Sequence, residues 1–198
     1  MIIAKPDRDG IAVAARAIRD GKVVAYPTET VYGLAVDPFS REAIRALFEA
    51  KGRPEVNPVL LIAADVSQVE KISLAISDTA RRYMERFWPG PLSLVLRKHP
   101  DLPSELCGGG ETVCVRVPGS EIARDLCRAF GGAITSTSAN RSGEPSATKP
   151  GEIKLAGVHL CIDAGALPPS APSTVFDPDT GVIFRQGAVA EALLRAKP

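Results

Sequence analysis

The sequence predicts an α/β sandwich, one mixed sheet with helices packed against it. Three observations predict that class. Short apolar, β-branched runs alternate with amphipathic stripes of helical period, Pro and Gly punctuate the junctions, and no repeat, charge block or linker divides the 198 residues. Residues 1–198 therefore read as one domain, of a length that buries roughly 70% of the unfolded chain's surface without a metal or disulfide staple.

The elements follow in order. Asp7 opens a helix that sets Ile11, Ala14, Ala15 and Ile18 on one face and ends at Gly21. Residues 22–26 are apolar and β-branched and predict a strand; Pro27 stops it and opens a loop over residues 27–33 that carries Thr28, Glu29 and Thr30. The next helix starts at Ser40 with the stripe Ile44, Leu47 and Phe48, and the stripe position seven beyond Ile44 is Lys51. Residues 59–62 predict a buried strand, 77–87 an amphipathic helix, and 92–96 a strand after the stop made by Trp88, Pro89, Gly90 and Pro91. A long loop from His99 through Gly108, Gly109 and Gly110 leads to a strand at 113–117, a helix near 121–130 and a strand at 133–135. The remainder predicts a loop, a strand at 158–162, a proline-rich loop at 167–172, a hairpin-like pair at 174–176 and 182–184, and a short terminal helix.

Composition narrows the function. With 24 Lys and Arg against 23 Asp and Glu, the net charge of +1 leaves only a local patch for nucleic-acid phosphates. Lys5, Pro6, Asp7 and Arg8 interrupt any signal-peptide core, and the longest apolar run, residues 59–64, is far short of the roughly 20 a membrane helix needs, so a cytoplasmic protein with no membrane contact is expected. Cys107, Cys114, Cys127 and Cys161 form no close pair, and His99 and His159 complete no zinc site, so the cysteines read as buried small hydrophobes and no protein-held metal is expected.

The usual catalytic signatures are absent: no Walker A loop, no dinucleotide fingerprint, no nucleophile elbow. Short basic and hydroxyl-rich segments stand instead where strands or helices end. Lys51 and Arg53, with Pro54, Asn57 and Pro58, either complement a helix dipole or clamp a phosphate or carboxylate. The run Ser136, Thr137, Ser138, Ala139, Asn140 follows a strand and reads either as turn chemistry or as an anion site, and Thr28, Glu29 and Thr30 invite the same two readings. Arg116, inside an apolar strand, and Arg185, after another, each need a partner, for which a structural ion pair is the plain alternative. Together these residues suit a site for a polyanion beside a small polar molecule.

Seven blocks carry a resemblance: Tyr26-Pro27-Thr28-Glu29-Thr30-Val31-Tyr32-Gly33-Leu34; Lys51-Gly52-Arg53-Pro54 with Asn57-Pro58; Trp88-Pro89-Gly90-Pro91-Leu92; Val115-Arg116-Val117-Pro118; Ser136-Thr137-Ser138-Ala139-Asn140 with Ser142-Gly143; Pro172-Ser173-Thr174-Val175; and Phe184-Arg185-Gln186-Gly187. In this order they cover residues from about 20 to 187, and the chain resembles the YrdC-like family of threonylcarbamoyl-adenylate synthases. The resemblance implies a strongly twisted mixed sheet with a positively charged concavity. It also implies a reaction joining L-threonine, bicarbonate and ATP into threonylcarbamoyl-adenylate with release of pyrophosphate, with Mg²⁺ carried by the nucleotide. By position, Thr30, Arg116, Ser136 and Ser173 match family residues that hold threonine; Lys51, Arg53, Asn57, Thr112, Ser138, Asn140, Ser146 and Arg185 match those around ATP. Lys51 and Arg53 would act as the fixed catalytic cations, both nucleophiles belonging to substrates. Replacing either by Ala is expected to lower turnover strongly with the melting temperature nearly unchanged.

The implied partners are the downstream threonylcarbamoyl-transferase proteins that modify tRNA, with weak binding of tRNA or double-stranded RNA. Some family members append a second domain, and this chain, ending at Pro198, resembles the short bacterial form. The segment Pro168-Pro169-Ser170-Ala171-Pro172, where some relatives carry other residues, reads as a lid over the site. Two other functions compete. An RNA-binding factor in tRNA or ribosome maturation is opposed by the charge and by only 5% aromatic residues. A carbamoyl-transfer domain of the hydrogenase-maturation type would bring an acylphosphatase module and zinc-finger cysteines, which the sequence lacks.

Overall fold

The computed structural model describes residues 1–52 and 57–196, in which eleven strands and six α-helices form two mixed sheets with helices packed on them. The first half runs β1 (Ile2–Ala4), α1 (Arg8–Arg19), β2 (Val23–Pro27), β3 (Tyr32–Ala35), α2 (Arg41–Lys51), β4 (Leu61–Ile62), the single turn α3 (Val66–Val69) and α4 (Asp78–Phe87). It continues as β5 (Leu92–Arg97), β6 (Thr112–Arg116), α5 (Glu121–Phe130), β7 (Ile134–Thr135), β8 (Thr137–Ser138), β9 (Val158–Ile162), β10 (Thr174–Phe176), β11 (Ile183–Arg185) and α6 (Glu191–Arg195).

The helices start where the sequence places a short polar cap. Asp7 accepts a hydrogen bond from Gly10 N, Ser40 from Ala43 N, Ser77 from Ala80 N and Ser120 from Ala123 N, each cap worth about 1 kcal/mol. Gly52 closes α2 at φ +58°, a left-handed conformation open to glycine without strain.

The expectation of one sheet is corrected: the strands pair in two sets. One sheet has the order β1-β9-β2-β3-β8 and the other β11-β10-β5-β6-β4-β7. The division falls at Ser136. Ile134 and Thr135 pair antiparallel with β4, whereas Thr137 and Ser138 pair antiparallel with β3, so the chain leaves one sheet and enters the other across a single residue. Thr135 also ties the sheets directly, its N–H donating to Val36 O at 3.2 Å and its Oγ1 accepting from Val36 N at 2.9 Å. The loop expected at 27–33 is shorter than predicted, since Tyr32 and Gly33 already belong to β3.

Two hydrophobic cores fill the fold, and β2 serves both. Val23 and Ala25 enter a large core drawn from both sheets and from α2 and α4, while Val24 and Tyr26 face the core of α1 and α5. A strand covered on both faces reads as a continuous apolar run, as residues 23–26 do. Cys107, Cys127 and Cys161 are buried as expected, whereas Cys114 is only partly buried. Among the described residues no helix is long and apolar enough to cross a membrane.

Candidate functional site

A cavity of about 420 Å³ is lined from both sheets, mostly by hydroxyl groups. Thr28 and Thr30 come from the β2–β3 turn, which Thr28 closes by donating from Oγ1 to Val31 O at 2.7 Å and accepting from Thr30 N at 3.1 Å. The cavity floor includes Gly33, where a Cβ would stand 3.1 Å from the ring of Tyr26. Tyr26 is fully buried, and burial pushes its phenol far above the ordinary tyrosine range, so it stays neutral.

Ser136, Thr137 and Ser138 line the cavity from the crossing between sheets. Their backbone is fixed by Ser136 N donating to Leu60 O at 2.7 Å and Ala139 N donating to Tyr32 O at 2.8 Å. Strand ends that place several hydroxyls on one concavity suit an anionic or polar ligand.

Lys51, expected as a fixed cation beside phosphates, is buried behind the wall. It continues the apolar stripe of α2, is only 2% exposed, and is not a lining residue. Its ammonium donates to Ser138 O and, at 2.8 Å, to Asn140 O, while Ser142 N donates back to Lys51 O at 3.1 Å. The charge thus sits behind the 138–142 loop and holds it. A lysine buried and bonded in this way has a structural role beside any cationic one, and against the expectation of an unchanged melting temperature for Lys51→Ala the burial argues for a loss of stability.

Arg116 makes the structural ion pair that was the plain alternative, and it also lines the cavity. The residue ends β6, lines the cavity, is 3% exposed, and pairs through Nη1 with Glu29 Oε1. The pair is incompletely satisfied: Arg116 Nε and Glu29 Oε2 are buried without a partner among the described residues. Arg185 takes no carboxylate among the described residues. Its Nε donates to Ser173 O at 3.1 Å and its Nη2 to Ser173 Oγ at 2.9 Å, and Ser93 Oγ donates to Ser173 Oγ at 2.9 Å. The lining among the described residues therefore holds two guanidiniums, one of them already paired.

The expected lid is a strap with several anchors. Tyr32 OH donates to Gly165 O at 2.8 Å, Leu167 N donates to Thr148 O at 2.8 Å, and Ser170 Oγ donates to Glu29 O at 3.1 Å. Ser170 and Pro172 form part of the wall. Where the chain leaves β11 it packs tightly on the strap's end, since a Cβ on Gly187 would lie 2.2 Å from Pro172 O.

Of the residues matched by position, Thr30, Arg116, Ser136, Ser173, Ser138, Ser146 and Arg185 share this lining. Asn57 is exposed beside Pro58, which lines. Thr112 begins β6, on the strand face of Arg116 but four residues away, about 13 Å. Asn140 lies off the wall, its Nδ2 donating to Arg141 O at 3.0 Å and Glu144 O at 2.5 Å, with Oδ1 buried and unpartnered among the described residues. Arg53 falls outside the described residues. Tyr26, Gly33 and Ser170 stood in segments that the sequence marked without being given roles of their own, and Ser93 was not marked at all.

No group of three or more His, Cys, Asp or Glu that could hold a metal occurs among the described residues. Nor does the described lining include a thiol, an imidazole or a carboxylate. Its hydroxyls and guanidiniums bind and orient; they offer no activated nucleophile.

Comparison with known proteins bears on this arrangement. Residues 16–187 match the Sua5/YciO/YrdC family model, described as "Telomere recombination". The chain is 42% identical over 170 residues to a threonylcarbamoyl-AMP synthase of Pyrococcus abyssi, covering 84% of this chain and 50% of the relative. It is 38% identical over 195 residues to the Bacillus subtilis threonylcarbamoyl-AMP synthase, covering 94% and 56%. The crystal structure of P. abyssi Sua5 complexed with L-threonine superposes with a TM-score of 0.91 at 37% identity, covering 99% of this chain and 60% of that one. The chain spans about half the length of these two curated relatives.

Proposed function

The chain belongs to the Sua5/YciO/YrdC family, and from that premise we propose that it joins L-threonine, bicarbonate and ATP into L-threonylcarbamoyl-adenylate and pyrophosphate, residues 1–198 acting as one domain. The observation that carries the reading is the gathering of Thr30, Ser136, Ser138, Ser146, Ser173, Arg116 and Arg185 on one cavity whose described lining includes no nucleophile. A binding and orienting site suits this reaction because both nucleophiles come from substrates. Threonine's amine adds to the carbon of bicarbonate, with loss of water, to give a carbamate. A carbamate oxygen then attacks the α-phosphorus, and pyrophosphate leaves.

Within this scheme Thr30, Arg116, Ser136 and Ser173 hold threonine, and Lys51, Arg53, Asn57, Thr112, Ser138, Asn140, Ser146 and Arg185 surround the nucleotide. Arg53 supplies the fixed catalytic cation, and Lys51 acts by holding the carbonyls of Ser138 and Asn140. Mg²⁺ enters with the nucleotide, whose phosphate oxygens are its natural ligands; a wall of hydroxyls and guanidiniums fits phosphates rather than a resident metal. The product is a mixed anhydride, to be consumed by threonylcarbamoyl-transferase proteins acting on tRNA in the cytoplasm. RNA contact by this chain is weak in this scheme. The named relatives favour this reading over an RNA-binding factor.

Pyrophosphate release from ATP, Mg²⁺, L-threonine and bicarbonate tests it. Release is expected only with all components present. Release that persists when threonine or bicarbonate is omitted overturns the reading.

A further inference from the structure

Ser93 lies on β5, fully buried and outside the cavity lining, in parallel register with Val175 of β10. That pairing seats it beside Ser173, the residue just before β10. Among the described residues its hydroxyl forms one hydrogen bond, the donation to Ser173 Oγ at 2.9 Å. Ser173 Oγ also accepts from Arg185 Nη2 at 2.9 Å. A serine oxygen has two acceptor positions and one proton, so both acceptor positions of Ser173 are filled and only its O–H remains. The reverse order, with Ser173 donating to Ser93, would strand the Ser93 proton in a site sealed from solvent, and that penalty selects the order seen.

We propose that Ser93 is a positioning residue: through Ser173, and together with Arg185, it commits one O–H to the cavity as a donor to an anionic oxygen of a substrate. Ser173 then offers nothing to an N–H group, so the position rejects an ammonium, and its O–H bonds a carboxylate or phosphate oxygen more strongly than the neutral carbonyl of an amide. Arg185 Nη1, which makes no bond to Ser173, adds positive charge beside the same oxygen. The inference rests on the reading that an amino acid and a nucleotide bind here, and it adds which hydroxyl orders the donor and how it selects its acceptor.

Titration calorimetry of the full chain with L-threonine and with ATP tests it on wild type, Ser93→Ala, Ser173→Ala and the double variant. Ser93→Ala is expected to weaken one of the two ligands about 3- to 10-fold, the range set by one ordered hydrogen bond, and to leave the other within about twofold. In the Ser173→Ala background the same change is expected to have no further effect, because the residue acts only through Ser173. L-threonine amide separates the two sources of the oxygen. If the carboxylate is the acceptor, Ser93→Ala narrows the preference for threonine over the amide. If a phosphate is, that preference holds and ATP weakens. Unchanged affinities, an equal loss for both ligands, or a loss that persists without Ser173 overturns the inference alone. A wild-type chain that binds neither ligand overturns the functional reading and this inference with it.

Discussion

Replacing Lys51 by Met removes the ammonium while keeping most of the apolar stem, and the structure sets the size of the effect. The residue is 2% exposed and its ammonium serves the carbonyls of Ser138 and Asn140. A hydrogen bond to a charged group is worth about 1.5–3 kcal/mol. Two such bonds are opposed by the several kcal/mol that desolvating an ammonium costs, which the variant no longer bears. Because Ser138 and Asn140 are half-buried, water takes over part of the lost bonding, so the net destabilisation is about 1–3 kcal/mol. For a chain of this size each kcal/mol moves the melting temperature by about 2–4 °C, giving a fall of about 2–12 °C. Thermal unfolding by circular dichroism reads it directly. A melting temperature within about 1 °C of wild type would show that the two carbonyl bonds carry no net stability.

Gly187→Ala forces a Cβ to within 2.2 Å of Pro172 O and 2.6 Å of Ser173 C, so about 1–3 kcal/mol of stability and most pyrophosphate release should be lost; normal values for both would show that the β11 exit does not fix Ser173. Stability should also fall on both sides of neutrality. The carboxyls of Asp65, held down first by the Ser67 hydroxyl, and of Glu105, Glu121 and Glu152 titrate below their ordinary range in the folded chain, so their contribution is present above about pH 4.5 and disappears as pH drops through the folded values. Burial pushes the thiols of Cys114 and Cys161 up to about 12 and raises the Cys127 thiol and the Tyr26 phenol further, so the unfolded chain ionises first and stability declines as pH rises past about 9. Urea titrations from pH 3 to 11 check the shape, and a flat profile would contradict it. Limited proteolysis between residues 163 and 173 should slow when ATP and threonine are both present, since Ser170 and Pro172 form part of the cavity wall; equal cleavage rates would show that the strap does not respond to ligands.

Much of this fold was legible because its helices are written locally. Asp7, Ser40 and Ser77 open amphipathic stripes where the sequence places the helix starts, and each caps its helix, as does Ser120, which the sequence reading did not name. The division into two sheets was not legible. It depends on which distant strands pair with Thr135 and Thr137, and a run of four hydroxyl residues looks like loop until those partners are known. Strand β3 stayed hidden because Tyr32 and Gly33 complete a polar turn. At the site, hydroxyl clusters marked the wall correctly in kind, but exposure did not follow from residue type. Lys51 was read for its charge, although its place seven residues beyond Ile44 on an apolar stripe already implied burial. Ser93 was passed over because nothing in the apolar run 92–96 says which distant hydroxyl its own would meet.

The crossing at Ser136 also bears on how the molecule comes together. Its neighbours in the wall lie as far apart in the chain as Thr28 and Arg185, so the hollow takes shape only after nearly the whole polypeptide has found its long-range partners, and loop-closure entropy delays that step. Any molecule resting there therefore stabilises the entire native state rather than one flap, by about 2.7 kcal/mol at a hundredfold excess over its dissociation constant.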